Sequence, residues 1–139
     1  MLGFFTSMDI GASGLKAQKL RMNTIANNMA NISTTRDSSG NVRPYRRKIP
    51  IFSSGAEEMT GSRELGVRVN RVIEDNAPFR QVYNPDHPDA NSEGYVQYPN
   101  VRMPIEMIDM IEASRAYEAN IRSMEAAKSM ISSALDIVK

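Results

Sequence analysis

The last stretch of the chain decides the fold: residues 104–139 read PIEMIDMIEASRAYEANIRSMEAAKSMISSALDIVK. Two columns spaced by seven residues run along it, the pattern of a helix that packs lengthwise on another helix. The first column is apolar throughout and the second is mixed: Met110, Tyr117, Met124, Ile131 and Val138, then Met107, Ser114, Ile121, Lys128 and Leu135. Pro104 suits the first turn of a helix, and no Gly or Pro follows it. The spacing predicts a rod of about 50 Å that needs a lengthwise partner.

A second heptad segment, from about Gly3 to Ile32, has the shape of that partner. Its two columns are Met8, Leu15, Met22 and Met29, and Gly11, Gln18, Ile25 and Ile32. Gly11 and Gly14 each disfavour a helix by about 1 kcal/mol relative to Ala, and the Asn side chains between residues 23 and 31 compete for its backbone. We therefore expect this helix to depend on packing, with Gly11 and Gly14 allowing another helix to approach closely.

The residues between the two segments predict short strands and ordered loops. We expect strands at Tyr45–Phe52, Gly66–Glu74, Phe79–Tyr83 and Gly94–Asn100, and loops at 33–44, 53–65 and 83–91. Pro50 cannot donate to a sheet, which places the first strand at an edge. The predicted fold is mainly α with a small β/loop middle, divided into an N-terminal helix (1–33), a middle segment (34–102) and a C-terminal helix (103–139). We expect the two helices together to form one helical domain with a coiled-coil layer.

Composition excludes several chemistries. The 139 residues include no Cys, one His and a formal net charge of +1. Disulfides, thiolate metal sites and cysteine nucleophiles are therefore excluded, and the overall charge gives no reason to expect nucleic acid or an anionic membrane as a partner. The N-terminal residues lack the pattern of a cleavable secretory signal, and no apolar run approaches the roughly 18–20 residues of a membrane-spanning helix.

Two clusters carry chemistry that could be functional. His87 lies between Asp86 and Asp89, a set that could ligate a metal, but the spacing fits no standard site and the flanking prolines favour a rigid turn. A basic cluster, Arg43, Arg46, Arg47 and Lys48, could contact nucleic acid, but a solvated strand face or salt bridges to a neighbouring subunit fit the near-neutral chain better. We expect no enzymatic activity, no catalytic residue, no cofactor and no metal.

Three stretches resemble a known family. SMDIGASGLKAQKLRMNTIANNMANIST (7–34) resembles the N-terminal motif of flagellar axial proteins, the rod, hook and hook-associated subunits, and EMIDMIEASRAYEANI (106–121) resembles their C-terminal motif. The middle stretch YNPDHPDANSEGYVQYPNV (83–101) resembles the signature of one branch, the subunits of the proximal rod. The family motif commonly reads Ser-Asn-Ile-Ala-Asn, and residues 27–31 here read Asn-Asn-Met-Ala-Asn.

The resemblance implies a structural rod subunit that assembles helically into the drive shaft between motor and hook and is needed for motility. It implies export by the flagellar type III pathway without a cleaved signal, a periplasmic rod location, and as partners other rod subunits, the hook-basal-body protein at the rod base, the basal-body ring and the export gate. An alternative from the residues alone is a non-polymerising adaptor that binds one partner helix.

Two sets of residues are predicted to make subunit contacts. The predicted assembly seam is Met8, Leu15, Met22, Ile25, Met29, Ile32, Met107, Met110, Tyr117, Ile121, Met124, Ile131, Leu135 and Val138. The predicted subunit-contact loop is Tyr83, Asn84, Pro85, Asp86, His87, Pro88, Asp89 and Asn91. We expect nucleic acid and small-molecule substrates not to be partners.

Overall fold

Two long helices precede and follow a small middle segment of β-strands. The computed structural model describes residues 2–54 and 66–137, and the side chains of 7–54 and 66–136. Helix α1 spans Leu2–Ala30 and helix α2 spans Met103–Ile137. The predicted fold class, mainly α with short strands between terminal helices, is confirmed. The predicted seam residue Val138 and residues 55–65 of the predicted 53–65 loop lie outside the described residues.

The helices run antiparallel, because contacts that move forward along α1 move backward along α2. Gly11 lies opposite Met124, Gly14 lies opposite Asn120, and Asn28 bonds to Glu106. A Cβ built on Gly11 would lie 2.7 Å from Met124 Cγ, and one built on Gly14 would lie 2.9 Å from Asn120 Nδ2. The predicted close approach at the two glycines is confirmed, and it explains why the sequence accepts their low helix propensity.

The strands pair within the chain as two separate antiparallel sheets. Strand β1 (Lys48–Ser54) pairs with β2 (Val67–Glu74), and β3 (Arg80–Tyr83) pairs with β4 (Tyr95–Tyr98). In the first sheet the register shifts between Ile51 and Phe52, which is a β-bulge. A two-stranded sheet has only edges, so Pro50 has the edge position that the sequence predicted.

The predicted boundaries were wrong at both ends of the first and fourth strands, for local reasons, and the second and third strands each begin one residue later than predicted. The fourth strand is shorter than predicted: Gly94 has φ +81°, which closes the turn before it, and Pro99 cannot donate to a ladder. The first strand begins at Lys48 rather than Tyr45, because the Arg47 amide donates to the Asn100 side chain (2.8 Å) instead of a strand. It continues through Ser54, so the predicted loop at 53–65 begins too early.

The buried core lies at one end of the helix pair. The buried side chains in the described residues are Ala17, Thr24, Ile25, Asn28, Pro44, Val96, Pro99, Val101, Glu106 and Ala113. They come from the second half of α1, the first third of α2 and the residues that lead into β1 and α2. The opposite end of the helix pair, from Met8 to Leu15 and from Asn120 onward, has half-buried or exposed side chains.

Candidate assembly interface

Asn28 joins both helices to the β middle. Its side chain is 1% exposed and makes four hydrogen bonds. Its Nδ2 donates to Glu106 Oε2 (3.1 Å) and to the Lys48 carbonyl (2.9 Å). Its Oδ1 accepts from the Lys48 amide (2.9 Å) and from the Tyr45 hydroxyl (3.0 Å). A carboxamide has two donors and two acceptor positions, so the hydrogen-bonding capacity of Asn28 is filled at this junction between the helices and the β middle.

Arg47 holds the acidic side of α2. Its Nε donates to the fully buried Glu106, and its Nη2 donates to Asp109 Oδ2 (3.0 Å). Burial lowers the pKa of Arg47, but the hydrogen bond and charge of Glu106, with Asp109 and Asp75, outweigh it and leave that pKa raised. Glu106 is buried only because Arg47 and Asn28 compensate it, since an isolated buried carboxylate would be very unfavourable.

The side chains of Asn100 and Tyr45 connect the segments before α2 and β1 to the same junction. Asn100 Nδ2 donates to the Asp75 carbonyl (3.0 Å) and the Ala77 carbonyl (3.3 Å), which fixes the link into α2 against the link between β2 and β3. Burial and the charges of Glu106 and Glu74 raise the pKa of Tyr45, so its hydroxyl keeps the proton that it donates to Asn28. The junction therefore fixes the orientation of the β middle relative to the helices.

Sequence reasoning missed this junction. The Asn side chains of residues 23–31 count against α1 in sequence, and an acidic residue near a helix start, such as Glu106, is adequately explained by the helix dipole. The basic cluster was assigned to solvent or to a neighbouring subunit, whereas Arg47 pairs inside the chain. Arg21 Nη2 lies 3.7 Å from Asp109 Oδ1, which is half-buried like Arg21, and 3.5 Å from Oε2 of the exposed Glu112.

The first predicted column of α2 is half-buried from Met110 to Ile131. The second column is rotated away from α1 at Met107 and Leu135, which are exposed, and Lys128 is exposed as well. The residues one place earlier in each heptad, Glu106, Ala113, Asn120 and Ala127, are buried or half-buried, and Ile121 of the second column still lies beside Met8 and Leu15.

The predicted seam of α1 lies along the helix contact. Ile25 is buried, and the other members, Met8, Leu15, Met22, Met29 and Ile32, are half-buried. Near the open end, Met8, Leu15, Ile121 and Met124 line a shallow apolar cavity of 220 Å³ with Lys128 beside it. Half-buried Met side chains at this end leave apolar surface that another helix can cover.

The start of α2 has a second apolar face that the seam prediction omitted. Ile105, Met107, Ile108 and Ile111 are all exposed, with Ile108 the most exposed at 58%. The sequence signal was available: five apolar residues in seven positions (105, 107, 108, 110 and 111) cannot all lie on one stripe, so the helix is apolar on two sides. α1 covers one of these sides, and the other is open.

The predicted subunit-contact loop connects β3 to β4 and has two different faces. Tyr83, Asn84, Pro85, Asp86, Pro88 and Asn91 are exposed, and His87 is half-buried. Asp89 turns inward: its Oδ1 accepts from Arg36 Nε (2.7 Å) and its Oδ2 accepts from the Thr35 hydroxyl (2.7 Å). The hydrogen bond from Arg36, then that from Thr35, lowers the pKa of Asp89. The loop is thus a rigid projection docked on the segment after α1.

Within the described residues, no group of three or more His, Asp or Glu side chains is arranged to hold a metal ion. Asp89 is held by Arg36 rather than turned toward an ion with His87, whose Nδ1 accepts from the Asp89 amide (3.1 Å). None of the described helices is long and apolar enough to cross a membrane.

Comparison with known proteins identifies the family. A family model described as "Flagella basal body rod protein" matches residues 8–36, and one described as "Flagellar basal body rod FlgEFG protein C-terminal" matches residues 92–137. The flagellar basal-body rod protein FlgC of Bacillus subtilis (strain 168) is 43% identical over 97% of this chain and 98% of its own length. The chain belongs to the FlgC family of flagellar basal-body rod proteins. FlgC of Borreliella burgdorferi is 40% identical over 99% of both chains, and FlgC of Yersinia enterocolitica is 42% identical over 88% of this chain and 89% of its own.

Membership of the FlgC family makes this chain a structural subunit of the flagellar basal-body rod, which assembles with other rod components. The assignment to the axial family and its rod branch, made from residues 7–34, 83–101 and 106–121, is confirmed. The two family-model matches cover most of both helices and the link into α2, and so include Asn28, Glu106 and the exposed face of α2.

Proposed function

We propose that this chain is completed by its neighbours in the proximal rod through the exposed faces of its helix pair. The observation that carries the proposal is the open apolar face at the start of α2, formed by Ile105, Met107, Ile108 and Ile111 on the side that α1 does not cover. Large exposed apolar patches mark sites of association. A contact between two different patches repeats without closing, and so builds the helical tube of a drive shaft.

The helices and the middle segment have different roles in the rod, and the contacts of Asn28 and Arg47 connect them. The helix segments, residues 1–33 and 103–139, form one axial domain whose apolar faces pack in the inner layer of the tube. The middle segment, residues 34–102, lies outward and presents the rigid 83–91 loop to neighbours. The contacts of Asn28 and Arg47 hold these two parts in a fixed orientation, so that torque applied to one is transmitted to the other.

The proposal extends to the export pathway of the chain and to its neighbours in the flagellum. The chain is exported by the flagellar type III pathway without a cleaved signal and acts in the periplasmic rod, without catalysis or cofactor. Its neighbours are the other rod subunits, the hook-basal-body protein at the rod base, the basal-body ring and the export gate. Support comes from the family, from the open apolar faces and from a helix pair whose described core lies at one end.

Ile108→Asp tests the proposal. Because the side chain is 58% exposed, the free energy of unfolding of the isolated chain should change by no more than about 0.5 kcal/mol. A charge on a face that becomes dry on assembly is unfavourable, so incorporation into basal bodies and swimming should be lost. Both are measured in a strain that makes only the variant.

Ser123→Asp is the matched control, because it adds the same charge at an exposed polar position of the same helix. It should be incorporated and should support swimming. Normal incorporation and swimming with Ile108→Asp would contradict the proposal. A stable one-to-one complex with a single rod subunit, and no larger assembly, would favour the adaptor instead.

A further inference from the structure

The sheet formed by β3 and β4 has an open edge along β3. The Asn84 amide donates to the Gly94 carbonyl (2.9 Å), at the residue pair that continues the register of the two strands. Backbone hydrogen bonds alternate along an antiparallel pair, so Gln81 and Tyr83 turn their amides and carbonyls away from β4. Within the described residues, these backbone groups have no other hydrogen-bond partner.

The outer edge of β4 is mostly closed. The Tyr95 amide donates to Asn91 Oδ1 (2.8 Å), and the Tyr95 carbonyl accepts from the Asn91 amide (2.9 Å). Pro99, directly after β4, has no amide to donate. Only Gln97 lies between these two positions with its backbone turned outward. A further strand can therefore extend this sheet at β3 but finds little to pair with at β4.

The edges of the other sheet are obstructed at their ends. At β1, the Asn28 side chain bonds to both the amide and the carbonyl of Lys48. At β2, the Val67 amide donates to a serine hydroxyl of α1 (3.0 Å). The same strand carries Arg68 and Arg71, and charged side chains on an edge disfavour pairing with another chain.

Strand β3 also leaves large side chains uncovered. All four of its residues are exposed, with Val82 at 37% and Tyr83 at 64%. Neighbouring residues of a strand lie on opposite faces of the sheet. An extended segment along this edge would bond to two amides and two carbonyls, and would cover an apolar side chain on one face and an aromatic ring on the other. Addition of a strand to an exposed sheet edge is a recurring mode of recognition.

The charges at the start of β3 favour an acidic segment. A cavity of 360 Å³ lies there, and its lining includes Arg80, Arg102 and Ile105. Arg80 is held over the Tyr98 ring, 5.5 Å from its centre. Arg102 is exposed and forms no ion pair with a carboxylate in the part of the chain that the structure describes. Arg102 can therefore receive a carboxylate, and Ile105 connects the cavity to the open apolar face of α2.

We propose that an extended acidic segment of a different rod protein adds to the free edge of β3 as a third strand. It bonds to the backbone of Gln81 and Tyr83 and places a carboxylate at Arg102. This inference rests on the proposed function and names the chemistry by which the middle segment holds a neighbour. Two copies of this chain joined at their β3 edges would instead form a closed pair, which cannot repeat along a tube.

Amide exchange at single residues tests the added strand in the unsubstituted protein. In the isolated chain the amides of Gln81 and Tyr83 should exchange fast, and the amide of Val82, which faces β4, should exchange more slowly. In isolated basal bodies the first two amides should slow by about ten-fold or more. Exchange of both amides that stays as fast in basal bodies as in the isolated chain would overturn the proposal.

A proline at position 81 tests the backbone contact. Gln81→Pro removes an amide that faces the added strand and leaves the hydrogen bonds between β3 and β4 in place. Gln81→Ala is the matched control, because it shortens the same side chain and keeps the amide. Gln81→Pro should lower incorporation into basal bodies several-fold, whereas Gln81→Ala should be incorporated normally. Equal incorporation of the two variants would overturn the proposal. If the proline variant unfolds at lower urea than the control, the exchange measurement decides.

A photo-reactive benzophenone side chain in place of Tyr83 identifies the occupant. Irradiated basal bodies should yield an adduct between this chain and a different rod protein, at an extended segment that carries Asp or Glu. An adduct with a second copy of this chain, an adduct with a helix, or no adduct would overturn the proposed occupant and leave the rod function standing. Absence of the unsubstituted chain from basal bodies would contradict the proposed function itself.

Substitution of Arg102 in the benzophenone chain tests the charge pairing. Arg102→Glu should lower the yield of the adduct several-fold by repelling the incoming carboxylate, and a negative charge near the start of α2 does not weaken that helix. Arg102→Lys keeps the charge and should retain most of the yield. Equal yields from the two variants would overturn the placement of a carboxylate at this position.

Discussion

Replacing Asn28 with Ala should strongly destabilise the isolated chain. The substitution leaves four groups without their partner: the amide and carbonyl of Lys48, the Tyr45 hydroxyl and Glu106 Oε2. At roughly 1 kcal/mol for each group left unpaired, the free energy of unfolding should fall by about 3–4 kcal/mol. Tyr45 is only half-buried and regains water in part, which is why the estimate stays in this range.

The assay is urea unfolding followed by circular dichroism at 222 nm. With a denaturant slope near 2 kcal/mol per molar, the midpoint should move down by about 1.5–2 M. Asn27→Ala is the matched control, because its side chain is exposed one position away and Ala is the better helix former. That variant should be as stable as the starting chain or slightly more stable.

Asn28→Asp sharpens the test, because it keeps the shape of the side chain. It retains an acceptor for Tyr45 and Lys48 but puts a carboxylate oxygen where Nδ2 now donates to Glu106, 3.1 Å away. It should therefore be as damaging as Ala at neutral pH and partly recover in acid, where the pair can share a proton. If Asn28→Ala and Asn27→Ala unfold at the same urea concentration, the junction does not hold the subunit together and the reasoning fails.

Two further predictions concern the β3–β4 loop. Gly94→Ala should destabilise the chain by about 1–3 kcal/mol more than Gly40→Ala, measured by urea unfolding. Both glycines have φ near +80°, but a Cβ on Gly94 would lie 2.9 Å from the ring of Tyr83, whereas one on Gly40 would meet nothing within 4 Å; equal losses would contradict this account. Because the pKa of Asp89 is lowered in the folded chain, its docking of the loop is fully present above the unfolded value of 3.8 and is lost as the pH falls through the lower folded value. Amide chemical shifts of residues 35 and 36 should report that step in acid, Asp89→Asn should abolish it, and a step that survives Asp89→Asn would contradict the assignment.

The helices could be predicted from the sequence because their signals are local. Heptad spacing within α1 and α2, the absence of Gly or Pro after Pro104, and the small residues Gly11 and Gly14 all act over a few turns. Matching two apolar stripes then predicts that the helices pair, but not that they run antiparallel, which only the contacts along the pair show. The strands could be predicted for the same reason. Their ends were wrong where a side chain accepts the backbone hydrogen bond, as Asn100 does from Arg47, or where a proline such as Pro99 has no amide to donate.

The junction could not be predicted, because its partners are far apart in the chain and each has an adequate local explanation. Asn28 bonds to a residue 78 positions away, and Arg47 to one 59 positions away. A buried Glu next to a helix start looks, in sequence, like an exposed Glu that favours the helix dipole. Only the fold shows that Glu106 is buried and that the second column of α2 begins one residue earlier than its hydrophobicity suggests.

The sequence predicted one of the two apolar sides of α2 and missed the other. The first heptad column correctly marked the side of α2 that meets α1, but a single-stripe interpretation assigned Met107 to that side and left out Ile105, Ile108 and Ile111. A sequence with more apolar residues than one stripe can hold indicates two contacts. The monomer satisfies one of them, and the other is left for a neighbour.

Hydrogen exchange along the helix pair tests the central claim most directly, namely that neighbours complete the open end of the subunit. In the isolated chain, amides of residues 22–30 and 106–113, next to the junction, should exchange slowly, whereas those of residues 8–16 and 120–136 should exchange fast. In isolated basal bodies the second set should become as protected as the first. Equal, strong protection of both sets in the isolated chain would contradict the account, because the helix pair would then be complete without neighbours.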